Sequence, residues 1–323
     1  MAQFRTLSAP DVQEILRAFG GDVYRAHQPI AVGTVNTNLR VETDRRALFL
    51  RINEGKSADD VEREAGIVVH AHLHGVSTPS PLPTAGAARP YLVWRGERVS
   101  LFPWVEGRTL ARAEVTPAHA AAVGRALAGL HLAMDGFADR RPGRYEPDEI
   151  EARLARVAAL ARPELAGAVA ILAPELARLR AERAPELPMG IIHGDLFIDN
   201  VMFGAGGGLA ALIDFEQASW GRLAYDLAVT TLAFGFGRDD FRPEIVRALI
   251  EGYAAARPLR DAERAAFAAE LRFVACRFAV TRITDVHLKR EAGAAPGKNF
   301  QRYLDRLASV KMHLAARDGL FDL

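Results

Sequence analysis

The stretch that most constrains the fold is 191–216, where two short apolar runs frame a polar loop and a turn. The first run leads into Asp195, and the second ends at Asp214. Four glycines within 204–208 predict a hairpin turn between the runs. Asp195, Asn200 and Asp214 therefore come at strand ends or in the adjoining loops, where a scaffold presents chemically active side chains.

The spacing of these side chains is typical of phosphoryl transfer. Four residues separate Asp195 from Asn200, as in a kinase catalytic loop, and Asp214-Phe215 begins fourteen residues after Asn200. Mg²⁺ takes oxygen ligands, which Asn200 and Asp214 can supply, and Asp195 suits the orientation and deprotonation of an acceptor hydroxyl. A single aspartate here would more often cap a turn, but three polar residues at this spacing favour function.

Length, charge and cysteine content restrict the class of protein. A chain of 323 residues predicts two domains, and 41 basic against 40 acidic residues argue against nucleic acid or a membrane as the main partner. The lone Cys276 excludes an internal disulfide and fits the reducing cytoplasm. With neither a signal-peptide pattern nor an 18-residue apolar run, a cytoplasmic location is expected. The oligomeric state stays open.

Hydrophobic periodicity predicts a mixed chain with an N-terminal β-rich part and a helical remainder. Predicted helices cover 9–19, 58–74, 117–134, 221–234 and most of 241–321, and predicted strands cover 47–52 and two runs within 91–107. The segment 148–182 is predicted as helical, with breaks at Pro163 and Pro174. The change in pattern predicts a nucleotide-binding lobe at 1–103 and a catalytic, substrate-binding lobe at 104–323.

The N-terminal part offers candidate nucleotide contacts. Gly33 lies between two strand-like runs, in either an ordinary hairpin or a loop whose backbone approaches a phosphate. Arg51 occupies the strand that carries the phosphate-holding cation of kinases, and Glu64 on the next helix is the predicted partner. The backbone from Leu101 onwards is predicted to pass the adenine, with Trp104 lining that pocket.

Two further residues are predicted to support the catalytic loop. His193 directly precedes the Gly-Asp pair of the loop, and Asp226 lies within the apolar helix at 221–234. A buried aspartate needs hydrogen-bond partners. Asp226 is therefore expected to brace the loop's backbone amides, and simple capping of its own helix is the alternative.

These motifs resemble those of the aminoglycoside-phosphotransferase-like kinases, a branch of the protein-kinase-like fold. That family shows H-G-D-x-x-x-x-N followed by I-D-F/W-E, and this chain has HGDLFIDN and LIDFE. The resemblance implies ATP, Mg²⁺ and an α+β, two-lobed fold, with a small, mainly antiparallel β N-lobe and a larger, mainly α-helical C-lobe.

The same resemblance assigns roles residue by residue. It implies Asp195 as the catalytic base, Asn200 and Asp214 as magnesium ligands, and Arg51 with Glu64 as the phosphate-holding pair. Arg51 departs from the family pattern, in which lysine is commoner, and the nearest lysine falls in the loop that follows the strand. Arginine keeps the charge and offers a fork of donors.

Within this family the chain is most similar to the homoserine kinases, in GTVNTN and in LRFVACRFAVTRITD. This implies phosphorylation of L-homoserine to O-phosphohomoserine, a step of threonine biosynthesis. On a helix predicted over 271–287, Arg277 and Arg282 are candidates for the acceptor carboxylate. Asp285, on the same face as Arg277, or Glu216 is the candidate for the ammonium. An intrahelical salt-bridge ladder is the alternative.

Other functions of the fold are weighed against this one. A choline- or ethanolamine-type kinase would want an aromatic cage, for which Trp104, Trp220 and Tyr225 are candidates without a clear spacing. A protein Ser/Thr kinase usually needs an activation segment, and only a short stretch follows Asp214. A non-catalytic nucleotide-binding scaffold would usually have lost one of the three central residues.

Overall fold

The computed structural model of the chain describes residues 5–30, 36–183, 186–289 and 299–321. The chain divides into two compact units, of which the first comprises 1–108 and 210–216, and the second 109–209 and 217–323. In the described part of the chain, no helix is long and apolar enough to cross a membrane.

The first unit is a five-stranded antiparallel sheet with two helices. In chain order its elements are α1 (Ala9–Ala18), β1 (Tyr24–Pro29), β2 (Thr37–Thr43), β3 (Ala47–Ile52), α2 (Ala58–Leu73), β4 (Leu92–Trp94) and β5 (Glu97–Pro103). The strands follow the order β1-β2-β3-β5-β4 across the sheet. The helices and strands predicted for this part are confirmed.

Local sequence explains these elements. Leu48, Leu50 and Ile52 of β3 are fully buried, so alternation places Arg51 on the opposite face of the strand. The helix α2 begins after Ser57, whose hydroxyl accepts the Asp60 amide, while the Asp60 carboxylate accepts the Ser57 amide. This reciprocal capping fixes where the helix starts. Arg51 is thereby held on a rigid strand beside a rigid helix.

The second unit is mainly helical. Its helices are α3 (Pro117–Ala133), α4 (Pro147–Ala159), α5 (Pro163–Glu182), α6 (Leu223–Gly235), α7 (Pro243–Ala256), α8 (Asp261–Arg282) and α9 (Gln301–Ala316). The strands β6 (Met189–Ile192) and β9 (Ser219–Arg222) pair antiparallel. Between them along the chain come β7 (Val201–Phe203) and β8 (Leu209–Leu212). The Gly204 amide donates to the Gly208 carbonyl at 2.9 Å, which confirms the predicted turn.

The structure corrects two details of the predicted helices. Pro174 lies inside α5 and does not break it. The helix continues because Leu172 and Leu176 are buried on its inner face, while Pro174 and the Ala170 carbonyl that it leaves unpaired lie on the exposed face. The helix predicted over 271–287 ends as an α-helix at Arg282 and continues as a π-helical turn, Ile283–His287.

Two glycines allow α3 and α7 to pack against each other closely. A side chain on Gly124 of α3 would collide with the Leu249 carbonyl, and one on Gly252 of α7 would collide with the Ala121 carbonyl. Both obstacles are helix backbone, which cannot move aside as a flexible side chain would. Gly129, also on α3, has no other atom within 4 Å of the corresponding position.

These two environments predict substitutions of opposite sign. Gly124→Ala should lower the free energy of unfolding by about 1–3 kcal/mol, because the helices must separate. Gly129→Ala should raise it by about 0.5–1 kcal/mol, because alanine costs less backbone entropy in a helix. Urea unfolding of both variants measures the two values. Equal effects at the two positions would contradict the close packing of α3 against α7.

Candidate active site

The loop that follows β6 is held by the buried carboxylate of Asp226. Asp226, in the first turn of α6, has no exposed surface and accepts the backbone N–H groups of His193 at 2.7 Å and Gly194 at 2.8 Å. Gly194 adopts φ +75°, and a side chain there would approach the Gln217 carbonyl to 2.8 Å. The hydrogen bonds predicted between Asp226 and the loop amides are therefore present.

Asp226 is in turn fixed by two other buried side chains. His131 of α3 lies with Nε2 3.1 Å from Asp226 Oδ2 and Nδ1 2.7 Å from the Tyr253 hydroxyl of α7. Burial alone would raise the pKa of Asp226, but the hydrogen bonds from His131 and the Gly194 amide outweigh it and hold the pKa below its usual range. Asp226 is therefore a charged anchor, and His131 is a buried core histidine that contacts it.

Asp195 lies at the exposed side of this loop. Its side chain is 33% accessible, and Arg277 Nη1 of α8 lies 3.9 Å from Asp195 Oδ1. The Asn200 side-chain amide donates to the Asp195 carbonyl at 2.8 Å. That bond fixes which way the Asn200 amide points and leaves its oxygen as the group that can bind a cation.

Arg277 is held by aromatic rings rather than by a bidentate carboxylate. Its guanidinium carbon lies 3.7 Å from the ring centroid of Phe278 and 4.1 Å from that of Tyr145. Only 4% of its side chain is exposed. A guanidinium fixed in this way keeps a positive charge beside the Asp195 carboxylate.

The first unit contains a separate cluster of charges. Arg51 Nη1 donates to Glu64 Oε1 at 3.1 Å, and Lys56 Nζ donates to Glu64 Oε2 at 2.8 Å. Lys56 Nζ also lies 3.3 Å from Glu216 Oε2, and Arg51 Nη2 lies 4.0 Å from Asp214 Oδ1. Asp214 adopts a left-handed φ of +67°, which is uncommon for a non-glycine residue.

Lys56 is the residue of this cluster that sequence reasoning missed. Lys56 follows β3 instead of lying on it. Only 12% of its side chain is exposed, and it shares Glu64 with Arg51. Arg98 Nη1 donates to the Lys56 carbonyl at 2.8 Å and so holds the loop in place. The available signal was its position directly before the Ser57 cap of α2, the helix that carries Glu64.

The other predicted nucleotide contacts are placed as follows. Leu101 is buried within β5, and its carbonyl accepts the Leu82 amide at 2.7 Å. Trp104 is half-buried, with the Arg40 guanidinium 4.7 Å from its ring centroid. Gly33 lies outside the residues that the structure describes.

The four predicted substrate residues lie as follows in the units that contain them. Asp285 lies in the π-helical turn that follows α8. Its carboxylate accepts Arg153 Nη1 at 2.9 Å. Glu216 is paired with Lys56. Arg277 and Arg282 line two different cavities of the second unit.

Comparison with known proteins gives the class of this chain. The sequence pattern described as "Phosphotransferase enzyme family" matches residues 26–265. The chain belongs to this family, and the predictions of family and of a phosphotransferase are confirmed.

Among individual relatives, homoserine kinases are similar to this chain over almost its whole length. A homoserine kinase of Allorhizobium ampelinum is 34% identical over 310 residues, and one of Rhizobium johnstonii is 33% identical over 309 residues. Each match covers 95% of this chain and 95% of the relative. The solved structure of a microcompartment-associated aminopropanol kinase superposes with a TM-score of 0.71 at 17% identity, covering 97% of this chain and 99% of that one. Such a likeness shows the fold alone, and it confirms the predicted kinase-like fold class.

The anchoring of the loop by Asp226 predicts a pH-dependent contribution to stability. Because the pKa of Asp226 is lowered in the folded state, its contribution is complete above the unfolded pKa of about 4 and is lost as the pH falls through the folded value. Asp226→Asn should therefore lower the free energy of unfolding by about 2–4 kcal/mol at pH 7, and by less below about pH 4.

Urea unfolding across this pH range measures the difference. The matched control is Asp148→Asn, whose side chain is 88% exposed and pairs with Arg180. The control should change stability by at most about 0.5 kcal/mol at any pH. A difference between wild type and Asp226→Asn that did not shrink at low pH would argue against a charged anchor.

Proposed function

We propose that this protein transfers the γ-phosphoryl group of ATP to the side-chain hydroxyl of L-homoserine, which yields O-phosphohomoserine and ADP. The observation that carries the proposal is the similarity to homoserine kinases over 95% of both chains. The side chains around Asp195 fit this chemistry. The activity is a step of threonine biosynthesis, and a cytoplasmic location is part of the same proposal.

In this proposal Asp195 is the catalytic base. The acceptor oxygen attacks the γ-phosphorus, the bond from that phosphorus to the ADP oxygen breaks, and the hydroxyl proton passes to the Asp195 carboxylate. Arg277, 3.9 Å away, helps to orient the carboxylate before the transfer. Asp226 holds the loop backbone, so that Asp195 does not move when the acceptor binds.

The donor set fits magnesium. The Asn200 amide oxygen and the Asp214 carboxylate are hard oxygen ligands, and the Asn200 amide nitrogen is already engaged with the Asp195 carbonyl. These two residues would hold Mg²⁺, which supplies charge neutralisation to the phosphates when bound.

The nucleotide phosphates are assigned to the charge cluster of the first unit. Arg51 and Lys56 present two cations around Glu64, and Glu64 orients both. The backbone beyond Leu101, together with Trp104, is proposed for the adenine, and Gly33 for the loop over the phosphates. This proposal includes Lys56 beside the residues expected from sequence, and its contact with Glu64 supports that role.

The alternatives find less support. Trp220 and Tyr225 do not form a cage in the described part of the chain, because the Arg140 guanidinium covers Trp220 at 4.8 Å and Tyr225 packs against Phe273. A choline-type acceptor is therefore second. Only eight residues, 215–222, lie between Asp214 and α6, which leaves no room for a long activation segment.

The acceptor and the base are tested together by ADP release. Wild type should release ADP with L-homoserine well above its rate with choline, ethanolamine, an aminoglycoside or a protein substrate. Asp195→Asn should lower kcat by about 10²–10⁴-fold, with ATP binding changed by at most about threefold. The control is Asp239→Asn, whose side chain is 87% exposed. Faster turnover of another acceptor would overturn the substrate, and normal kcat in Asp195→Asn would overturn the base.

The sharing of Glu64 by two cations predicts a specific pattern of nucleotide affinity. Arg51→Gln and Lys56→Gln should each raise the ATP KM by about tenfold, since each removes one charge from the phosphate contacts. The homoserine KM should change much less. Arg45→Gln is the control, because its side chain is 67% exposed on the same unit. If only Arg51→Gln raised the ATP KM, Lys56 would have a structural role and would not contact the phosphates.

A further inference from the structure

A second group of cations lies beside the catalytic loop. A cavity of ≈ 270 Å³ within the second unit is lined by six charged side chains, those of Arg112, Asp195, Asp199, Arg282, Arg302 and Arg306. Its volume is near the lower end of the range of small-ligand pockets. Four cations face two carboxylates, of which Asp195 is the proposed base. The cavity therefore carries an excess of positive charge next to the reacting group.

Arg112 supplies the fixed wall of this cavity. Its Nη1 donates to the carbonyls of Ala233 at 2.6 Å and Phe236 at 2.5 Å, at the C-terminal end of α6. A cation is favoured at that end of a helix. Burial, with Arg306 and Arg302 nearby, lowers the pKa of Arg112 to about 10. Arg112 is thus held by backbone and repelled by its neighbours.

Arg306 of α9 is buried, and two of its donor atoms are unused in the described part of the chain. It is 3% exposed, and its Nε and Nη1 have no hydrogen-bond partner among the residues that the structure describes. Its guanidinium carbon lies over the rings of Tyr303 and Phe236, with centroids at 4.7 and 5.3 Å. The Nε of Arg282 is likewise without a partner within the described ranges.

Two other buried arginines of the described chain are paired with buried carboxylates. Arg183 is paired with Glu270 at 2.6 Å, and Arg272 with Glu175 at 2.6 Å. In the described part of the chain, no carboxylate lies within 4.0 Å of the charged nitrogens of Arg282, Arg302 or Arg306. An uncompensated buried cation costs free energy unless a ligand supplies the counter-charge. The cavity is therefore built to receive an anion.

We propose that this cavity binds the carboxylate of the acceptor, with Arg306 and Arg282 as its main partners, so that the acceptor hydroxyl reaches Asp195. The inference rests on the proposed function and specifies how the amino acid is recognised. Asp199, the other carboxylate of the cavity, is exposed and suits the ammonium group. An α-amino acid, with both charges and a hydroxyl, matches the cavity better than a cationic amino alcohol.

This proposal gives different roles to Arg277 and Arg282, which are both candidates for the acceptor carboxylate from sequence alone. Arg277 lines a different cavity and contacts Asp195, so it is a positioning residue for the base. Arg282 lines the cavity that holds Arg306. A phosphate oxygen has the same charge as a carboxylate, so a phosphoryl group is the competing occupant of this cavity.

The kinetic test uses Arg306→Gln, Arg282→Gln and Arg302→Gln. Each should raise the homoserine KM, by about tenfold to a hundredfold for Arg306 and Arg282, with the ATP KM within about threefold of wild type. Arg302 is exposed, so its variant keeps the fold if the buried Arg306 variant does not. Arg264→Gln, exposed near the start of α8, is the matched control. A rise in the ATP KM with an unchanged homoserine KM would assign the cavity to a phosphate and overturn the proposal.

A binding test separates this proposal from the proposed function. L-2-Aminobutyrate is homoserine without its hydroxyl, and propylamine lacks the carboxylate as well. Calorimetry should detect L-2-aminobutyrate binding to wild type, and that binding should be at least tenfold weaker in Arg282→Gln and Arg306→Gln. Propylamine should bind weakly to all three proteins. If homoserine is not phosphorylated but this pattern holds, the function fails and the cavity assignment stands. If homoserine is phosphorylated and neither its KM nor L-2-aminobutyrate binding changes in the variants, the cavity assignment is overturned.

Discussion

The catalytic loop depends on one buried charge. Asp226 accepts two backbone amides of the loop and is itself oriented by His131, which contacts Tyr253. These side chains come from α3, α6 and α7, so the packing of three helices fixes the position of a loop that none of them contains. The close approach of α3 to α7 through Gly124 and Gly252 belongs to the same arrangement. Rigid support of this kind places Asp195 before any ligand binds.

The buried arginines of the second unit have different partners and therefore different roles. Arg183 and Arg272 are neutralised by buried glutamates and tie helices together. Arg277 is stacked between two aromatic rings beside Asp195. The proposed base therefore has a cation 3.9 Å away. Arg306 is buried, and its Nε and Nη1 have no hydrogen-bond partner among the described residues. The distinction between structural and ligand-binding arginines is thus made by their partners, since the side chain is the same.

Much of the fold and of the central site could be predicted from sequence, because both rest on local patterns. The spacing of Asp195, Asn200 and Asp214, and the buried position of Asp226, are visible in the chain itself. Lys56 could not be found this way, since its contact with Glu64 depends on how the loop after β3 folds back. Periodicity also predicted one helix over 271–287, whereas the α-helix ends at Arg282, a π-helical turn follows, and the Asp285 carboxylate accepts Arg153 Nη1. The lack of partners for Arg306 Nε and Nη1 among the described residues depends on which elements surround this side chain, and sequence patterns do not show that.

The central claim is that the side-chain hydroxyl of L-homoserine attacks the γ-phosphorus of ATP, and that Asp195 is the base that takes its proton. Phosphorus NMR of a reaction with L-homoserine as the sole acceptor tests it most directly. The account predicts one new phosphomonoester signal, coupled to the terminal methylene protons and formed in equal amount to ADP, and its loss in Asp195→Asn. Release of inorganic phosphate without a phosphomonoester, or a phosphate ester formed equally well by Asp195→Asn, would contradict it.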